Sequence, residues 1–493
     1  MYKFRFFSVF LTVLLILNLT ACGNKTDGAY IYFELPEMPS TLDAQTAKSD
    51  SELLIVRNIY EGLMRKNSDG EIVTGAAESY KKSGLTYTFT LRNKIFWNND
   101  EPVTAHDFVY GLRRALDPQT KAPFASRLFC IKNAKQVNSG TLKPDKLGVT
   151  ATDKKTVKIE LEYDDQSFLE NLATSVAMPC NQDFFKTCGG KYGLFSDRII
   201  CNGSYRLTKW NKESFGIRLY RNEEYNGDFS AKNAAAFLTC NSDVPVTEKL
   251  ENNDIDIAFI DSALTTDMES KGFSTKNIQN ICWVMTLNIS LSKDMRTSLL
   301  KLVGNEVYSE NLKSGYTTAT SLFPAVSGLK LGGDGVVSYD LSGGKSLFKS
   351  EVKKLDDAKF PADVTLKYFD NGYIKPVITD IVAHWQNNLS AFVNIEPVNE
   401  KQLLLPQLKE QTLVLSVFPV EITGTNIAEY LQYYNKAYDK DATEIQKDIL
   451  SSNNIYPLLF QNTTLCFSQS IKEFPTSEDN GYIDFSFVIK YDR

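Results

Sequence analysis

Histidine is nearly absent from this chain: 493 residues hold only His106 and His384. No Cys-x-x-Cys or Cys/His cluster has the spacing of a zinc site, and neither His-Glu-x-x-His nor Gly-x-Ser-x-Gly occurs. Neither histidine has a serine or cysteine motif beside it that suggests a nucleophile pair. Gly344-Lys345-Ser346 has the tail of a phosphate loop, but Tyr339 stands where the upstream glycine is required. The adjacent acids Asp164-Asp165 and Glu223-Glu224 diverge when placed on a strand. Acids brought together from distant positions, as in a secreted glycosidase, stay open at this level. Basic charge is also short, with 54 Lys and Arg against 60 Asp and Glu and a formal net charge of −6. That balance gives no reason to expect nucleic-acid binding. No cofactor and no metal are expected.

Long apolar runs are missing as well. The longest, Phe6 to Leu17, follows Lys3 and Arg5 and falls short of the roughly 20 residues a membrane span needs. It is the h-region of an export signal. It ends at Leu19-Thr20-Ala21-Cys22-Gly23, which resembles a bacterial lipobox. The resemblance implies cleavage before Cys22 and lipidation of its thiol. The body, 472 residues with a formal charge of −8, would then sit outside the cell membrane on a tether of residues 22–28. Each buried methylene of an acyl chain contributes about 0.8 kcal/mol, so several chains hold where one does not. Beyond Cys22, Cys130, Cys180, Cys188, Cys201, Cys240, Cys282 and Cys466 remain. Their number is odd, so at least one thiol is free or pairs between chains. Most have apolar neighbours and read as core. A Cys180–Cys188 or Cys188–Cys201 bridge stays open.

Hydrophobic residues make up 43% and aromatics 12%, enough for a large core in two or three domains. Tyr30 to Phe33 reads as a first strand, and Ser51 to Met64 has helical spacing at Leu54, Ile55, Ile59 and Leu63. Thr86 to Arg92 alternates, as a half-buried strand does. Thr104 to Asp107 forms a capping box before an apolar stripe that Pro118 ends. Ser204–Trp210 and Phe215–Arg221 make a hairpin. Further strands are expected at Trp283–Asn288, Val364–Tyr368, Phe392–Ile395, Tyr456–Phe460 and Ile483–Val488, with a helix through Ile378 to Leu389. The alternation indicates an α/β body. Six glycines between Ser327 and Gly344 mark a candidate mobile loop.

Four segments, in order, resemble the peptide, oligopeptide and nickel class of ABC solute-binding proteins, family 5. They are Pro39-Ser-Thr-Leu-Asp43 with Asn58-Ile-Tyr-Glu-Gly-Leu63 and Asp69-Gly-Glu-Ile72; Ala77-Glu-Ser79 through Trp97 to Glu101-Pro-Val-Thr-Ala-His-Asp107; Asn202-Gly-Ser-Tyr205 with Arg221-Asn-Glu-Glu-Tyr225; and Ile455-Tyr-Pro-Leu458. The resemblance implies a two-lobed α/β clamshell with an extra inserted domain. Lobe I would take 29–57, 181–282 and 453–493, the inserted domain 58–180 and lobe III 283–452, with crossings near Cys282 and Asn453. It further implies a receptor, generally monomeric, that hands a solute, peptide first, to an ABC permease and ATPase. A non-transport surface lipoprotein or signalling-peptide receptor, or a receptor for a metal chelate or sugar, is the other reading. Two loops of the family line the cleft; here they are 47–50 and 416–421. Lys48 stands where oligopeptide receptors carry an acid, and the family's Trp…Asp motif is replaced by Phe418, Pro419 and Glu421. Lys48, Ser49, Asp50, Phe418 and Glu421 are the candidate ligand contacts.

Overall fold

A computed structural model describes residues 28–211, 216–240, 243–287, 290–323, 333, 335–355, 358–361, 364–398, 414–421, 442–474 and 483–491. The lipobox and Cys22 lie outside these residues, as does most of the glycine-rich stretch. Strand β1 (Tyr30–Glu34) leads into helix α1 (Asp50–Ile59). A hairpin of β2 (Met64–Lys66) and β3 (Ile72–Thr74) follows. Next comes an antiparallel sheet of β4 (Ala77–Ser83), β5 (Thr86–Leu91), β6 (Val149–Ala151) and β7 (Thr156–Glu160), ordered β4-β5-β7-β6. Tyr87, Phe89 and Leu91 point into its core, as the alternation predicts. Helix α2 (Ala105–Leu116) packs against this sheet. Its capping box is present: the Thr104 amide donates to Asp107 Oδ2 at 2.7 Å.

The main sheet has eleven strands. In chain order these are β1, β8 (Tyr205–Asn211), β9 (Gly216–Arg221), β10 (Ala235–Thr239), β11 (Ile257–Ile260), β12 (Ser274–Thr286), β13 (Tyr316–Thr318), β14 (Thr365–Phe369), β15 (Asn394–Val398), β16 (Val414–Glu421) and β17 (Ile455–Phe467). Their spatial order is β15-β14-β16-β12-β17-β11-β1-β10-β9-β8, with β13 beside β17. Helices α3 (Lys293–Leu300), α4 (Leu341–Val352), α5 (Ile374–Leu389) and α6 (Ala442–Leu450) belong to the half of the sheet around β14. The two long strands β12 and β17 join the halves. The core divides along them: Ile278 and Leu465 pack with Phe33, Phe89 and Phe485, whereas Trp283, Met285 and Leu458 pack with Trp385 and Tyr368. Between these stretches the β12–β17 register breaks at Gln279/Ile281.

Three expectations change. Helix α1 stops at Ile59 instead of running to Met64, because residues far along the chain take over its end. The Gly203 amide donates to Ile59 O at 2.9 Å, and the Asn202 side chain exchanges two hydrogen bonds with the Glu61 backbone. A Cβ on Gly203 would lie 2.7 Å from the Ile59 carbonyl carbon, so this approach needs glycine. Ile483–Val488 is a run of turns, not a strand. Asn58 accepts from the Phe485 amide at 2.7 Å and donates to Ile483 O at 3.1 Å, which withdraws both from any ladder. Only Ile489–Lys490 pairs, with Ile471–Glu473. Finally, Gly343 and Gly344 are helical, with Asp340 as N-cap accepting from the Gly343 amide at 2.9 Å. Gly344 lets α4 approach Leu302, whose Cδ1 a methyl would overlap.

Candidate functional site

Strand direction locates the site. Strand β1 runs parallel to β10 and β11, so Glu34, Thr239 and Ile260 end on one edge. In the other half β14 runs parallel to β15 and β16, and Phe369, Val398 and Glu421 share an edge. Register turns these edges toward each other. Ile260 lies opposite Thr464, and Ile281 lies opposite both Glu421 and Gln461. Both sets of carboxyl ends therefore converge on the break in the β12–β17 pair. In open α/β sheets ligands bind outside the carboxyl ends of the strands. The loops 35–49, 261–264 and 370–373 flank that space.

The first loop is held from below by one carboxylate. Glu52 is buried and accepts from the amides of Ser40 (3.0 Å), Thr41 (3.1 Å), Lys48 (2.8 Å) and Ser49 (3.1 Å) and from the Ser40 hydroxyl. Burial pushes its pKa up, but the Ser40 hydroxyl and the backbone amides outweigh burial and hold it below its ordinary value. Because the folded value is depressed, the stability it contributes is present above the ordinary carboxylate pKa. It is lost as pH falls through the folded value. Glu52→Gln is expected to cost about 1.5–3 kcal/mol at neutral pH. Thermal melts at descending pH should show the gap to the wild type shrinking below the ordinary value of 4.5.

Among the residues singled out from the sequence, Lys48 is exposed on this loop, and Asp50, expected on the same loop, is instead the exposed first residue of α1, beyond the Ser49 cap. Ser49 is committed to folding: its hydroxyl caps α1 by accepting from the Glu52 amide. Residues 416–421 form strand β16, not a loop. Phe418 is 2% exposed and packs with Cys282, Val284, Leu322 and Leu450, facing core instead of solvent. Proline is tolerated at 419 because the β14 ladder ends at Val417. Glu421 closes the strand opposite Ile281, so its backbone lies at the base of the interlobe space. Sequence reasoning missed Asp261 and Tyr373. They follow β11 and β14 on opposite lobes, and the charge of Asp261 raises the pKa of the Tyr373 phenol. No local pattern marks either.

Among the described residues, nucleophiles and metal donors do not gather here. All seven described cysteines are free, and six are buried. Burial raises the thiols of Cys180, Cys201 and Cys466 to about 12, which leaves them protonated and inert. His384 lies between the Tyr339 hydroxyl and Asn388, each 3.3 Å away, and burial lowers its pKa. Among the described residues no three His, Cys, Asp or Glu side chains could hold a metal ion, and no helix is long and apolar enough to cross a membrane.

Known proteins resemble this chain in sequence and in fold. The oligopeptide-binding protein OppA of Bacillus subtilis is 32% identical over 237 residues, 45% of this chain and 43% of its own length. The periplasmic murein peptide-binding protein MppA of Escherichia coli is 23% identical over 511 positions, covering 93% of both chains. The structure of Listeria monocytogenes OppA bound to peptide superposes with a TM-score of 0.70 at 20% identity, over 95% of this chain and 100% of that one. Likeness at that identity establishes the fold, a two-lobed α/β clamshell. The family model described as bacterial extracellular solute-binding proteins, family 5 Middle, matches residues 71–442. This chain belongs to the family 5 bacterial extracellular solute-binding proteins, which are binding proteins of transporters and not enzymes.

Proposed function

We propose that this protein is an extracytoplasmic receptor, lipid-anchored through Cys22, that captures short peptides between its lobes and delivers them to an ABC importer. One observation carries the reading: two sets of parallel-strand carboxyl ends face each other across a pair of strands whose register breaks between two separate cores. A pair of strands bends more easily than either packed core, so closure pivots at Gln279–Ile281 and Gln461. Lobe I then comprises 29–57, 181–282 and the part of 453–493 beyond the pivot, the inserted domain 58–180, and lobe III 283–452 together with Ile455–Phe460, whose side chains pack in the cores around β14 and β16. The pivot lies a few residues from the crossings expected at Cys282 and Asn453. A ligand that contacts both lobes favours the closed form by its differential affinity.

Peptide is the favoured solute because both relatives named above are peptide-binding by name, and one neighbour was solved with a peptide. A peptide backbone needs strand-like partners and its termini need charge. Glu421 and Asp50 are the candidate partners of the ligand amine, and Lys48 of its carboxylate. Ser49 and Phe418 support the site through the helix cap and the core. Native mass spectrometry of the purified protein, with denaturing release of bound molecules, tests the reading. A mixed pool of short peptides supports it. A single non-peptide solute overturns the peptide assignment and keeps the receptor.

A further inference from the structure

The outer face of the lobe I sheet is covered on one side only. Leu250 and Met268, on the short helices Val246–Glu251 and Thr265–Ser270, pack over Ala258 and Ile260 of β11 and Cys466 of β17. Ala258 pairs with Glu34, so the same face carries Tyr30 and Tyr32 of β1. Across β1, β10, β9 and β8 the cover stops: Tyr32 is 37% exposed, and Arg206, Lys209 and Arg218 are exposed as well. Register sets these residues together. Tyr32 lies beside Phe237, Phe237 opposite Arg218, Arg218 opposite Lys209, and Tyr220 opposite Arg206. Tyr30 stacks on Phe237 with 5.3 Å between ring centroids, and Tyr32 and Tyr220 meet the same ring edge-on. The Arg218 guanidinium lies 5.4 Å from its centroid. An exposed aromatic cluster rimmed by cations marks an interaction surface.

The chain's route from its anchor arrives beside this cluster. Gly28, at φ +129°, lies against the backbone of Lys232 and Ala234, and the Ala234 amide donates to Ala29 O at 2.9 Å. Tyr30 follows, its carbonyl accepting from Lys490 Nζ at 2.8 Å. Eight positions separate Tyr30 from Cys22, so even a fully extended chain keeps them within about 28 Å. Charge selects the side that approaches the bilayer. An anionic membrane repels a body of net charge −8 but attracts Arg206, Lys209 and Arg218. Two neighbouring acids are already neutralised, Glu34 by Lys249 and Asp256 by Lys490, each at 2.7 Å. We propose that this face rests on the headgroup layer of the anionic membrane and orients the tethered receptor. Tyrosine rings settle at headgroup depth, and the cations pair with anionic lipid. The tether makes the contact intramolecular, so a weak surface affinity suffices. The strands then run along the bilayer, and the site at their carboxyl ends opens sideways. The proposal rests on the lipid-anchored reading given above.

Hydroxyl-radical footprinting tests the face on the full chain, isolated with its anchor and reconstituted in vesicles. Oxidation in mixed phosphatidylcholine–phosphatidylglycerol vesicles is compared with oxidation in pure phosphatidylcholine. Tyr32, Tyr220 and Phe237 are expected to be protected several-fold on the anionic vesicles, whereas Tyr80 and Phe392, exposed elsewhere, stay unchanged. Arg206→Glu with Arg218→Glu should abolish the protection and leave circular dichroism at the wild-type curve, since both side chains are exposed. Equal oxidation on the two kinds of vesicle would overturn the proposal. Protection that rises with protein density would overturn it too, because a second copy of the chain would then be the cover. The mass of the Cys22 peptide reports the anchor separately. If that peptide carries no acyl chain, the lipid-anchored reading fails by itself. The same footprint, on protein captured through an N-terminal hexahistidine on vesicles with a nickel-chelating lipid, then decides the membrane face.

Discussion

Asp43→Ala is expected to destabilise the protein by about 3–5 kcal/mol, the usual cost of stranding one member of a buried ion pair. Arg114 donates to both Asp43 oxygens and to Gln45 Oε1 at 2.6 Å, and it stacks over Phe185 and Tyr192. Burial opposes the charge on Arg114, yet the hydrogen bonds and negative charge of Asp43 outweigh burial and raise its pKa above the ordinary value. Without Asp43 the guanidinium keeps its desolvation penalty and loses its counter-ion. The pair ties the loop after β1 to helix α2 of the inserted segment, so the loss should loosen that docking. Chemical denaturation should show a lowered midpoint. Asp43→Ala with Arg114→Met should recover part of the loss, since removing both charges leaves none unpaired.

Trp385→Ala should cost a similar amount, about 3–5 kcal/mol, by opening a large cavity. Trp385 is fully buried on α5, and its indole donates to Leu299 O at 2.9 Å. The substitution removes an aromatic side chain and one of the hydrogen bonds to Leu299 O, which still accepts from the Leu302 amide at 3.1 Å. Trp385 belongs to the core around β14, whereas Asp43 and Arg114 belong to the half around β1. Calorimetry should therefore show different parts of the transition moving in the two variants. A single transition shifted equally by both would mean that the two cores unfold as one unit.

The sequence carried the local features well. The capping box at Thr104, the strand at Thr86 and the hairpin after Ser204 depend on near neighbours, and all three stand as expected. Long-range ties were not legible. The end of α1 is set by Asn202 and Gly203, about 140 positions away, and the turns at 483–488 by Asn58. Strand β16 misled for another reason. Residues Leu415 to Phe418 are buried on both sheet faces, so there is no alternation to read, and Pro419 argued against a strand. The candidate site was half legible. Lys48 came from a motif offset and Asp50 from the loop around it, but Ser262 and Gly315, some fifty positions apart, approach each other only through the fold.

The central claim is that peptide capture and lobe closure are one event. Fluorescence energy transfer between dyes on the two lobes, followed while a defined mixture of tri- to pentapeptides is added, tests it most directly. Saturable approach of the dyes is expected, with N-acetylated peptides markedly weaker because they lack the amine that Glu421 or Asp50 would hold. Peptides that bind with no change in transfer, or no saturable response to any peptide, would contradict it.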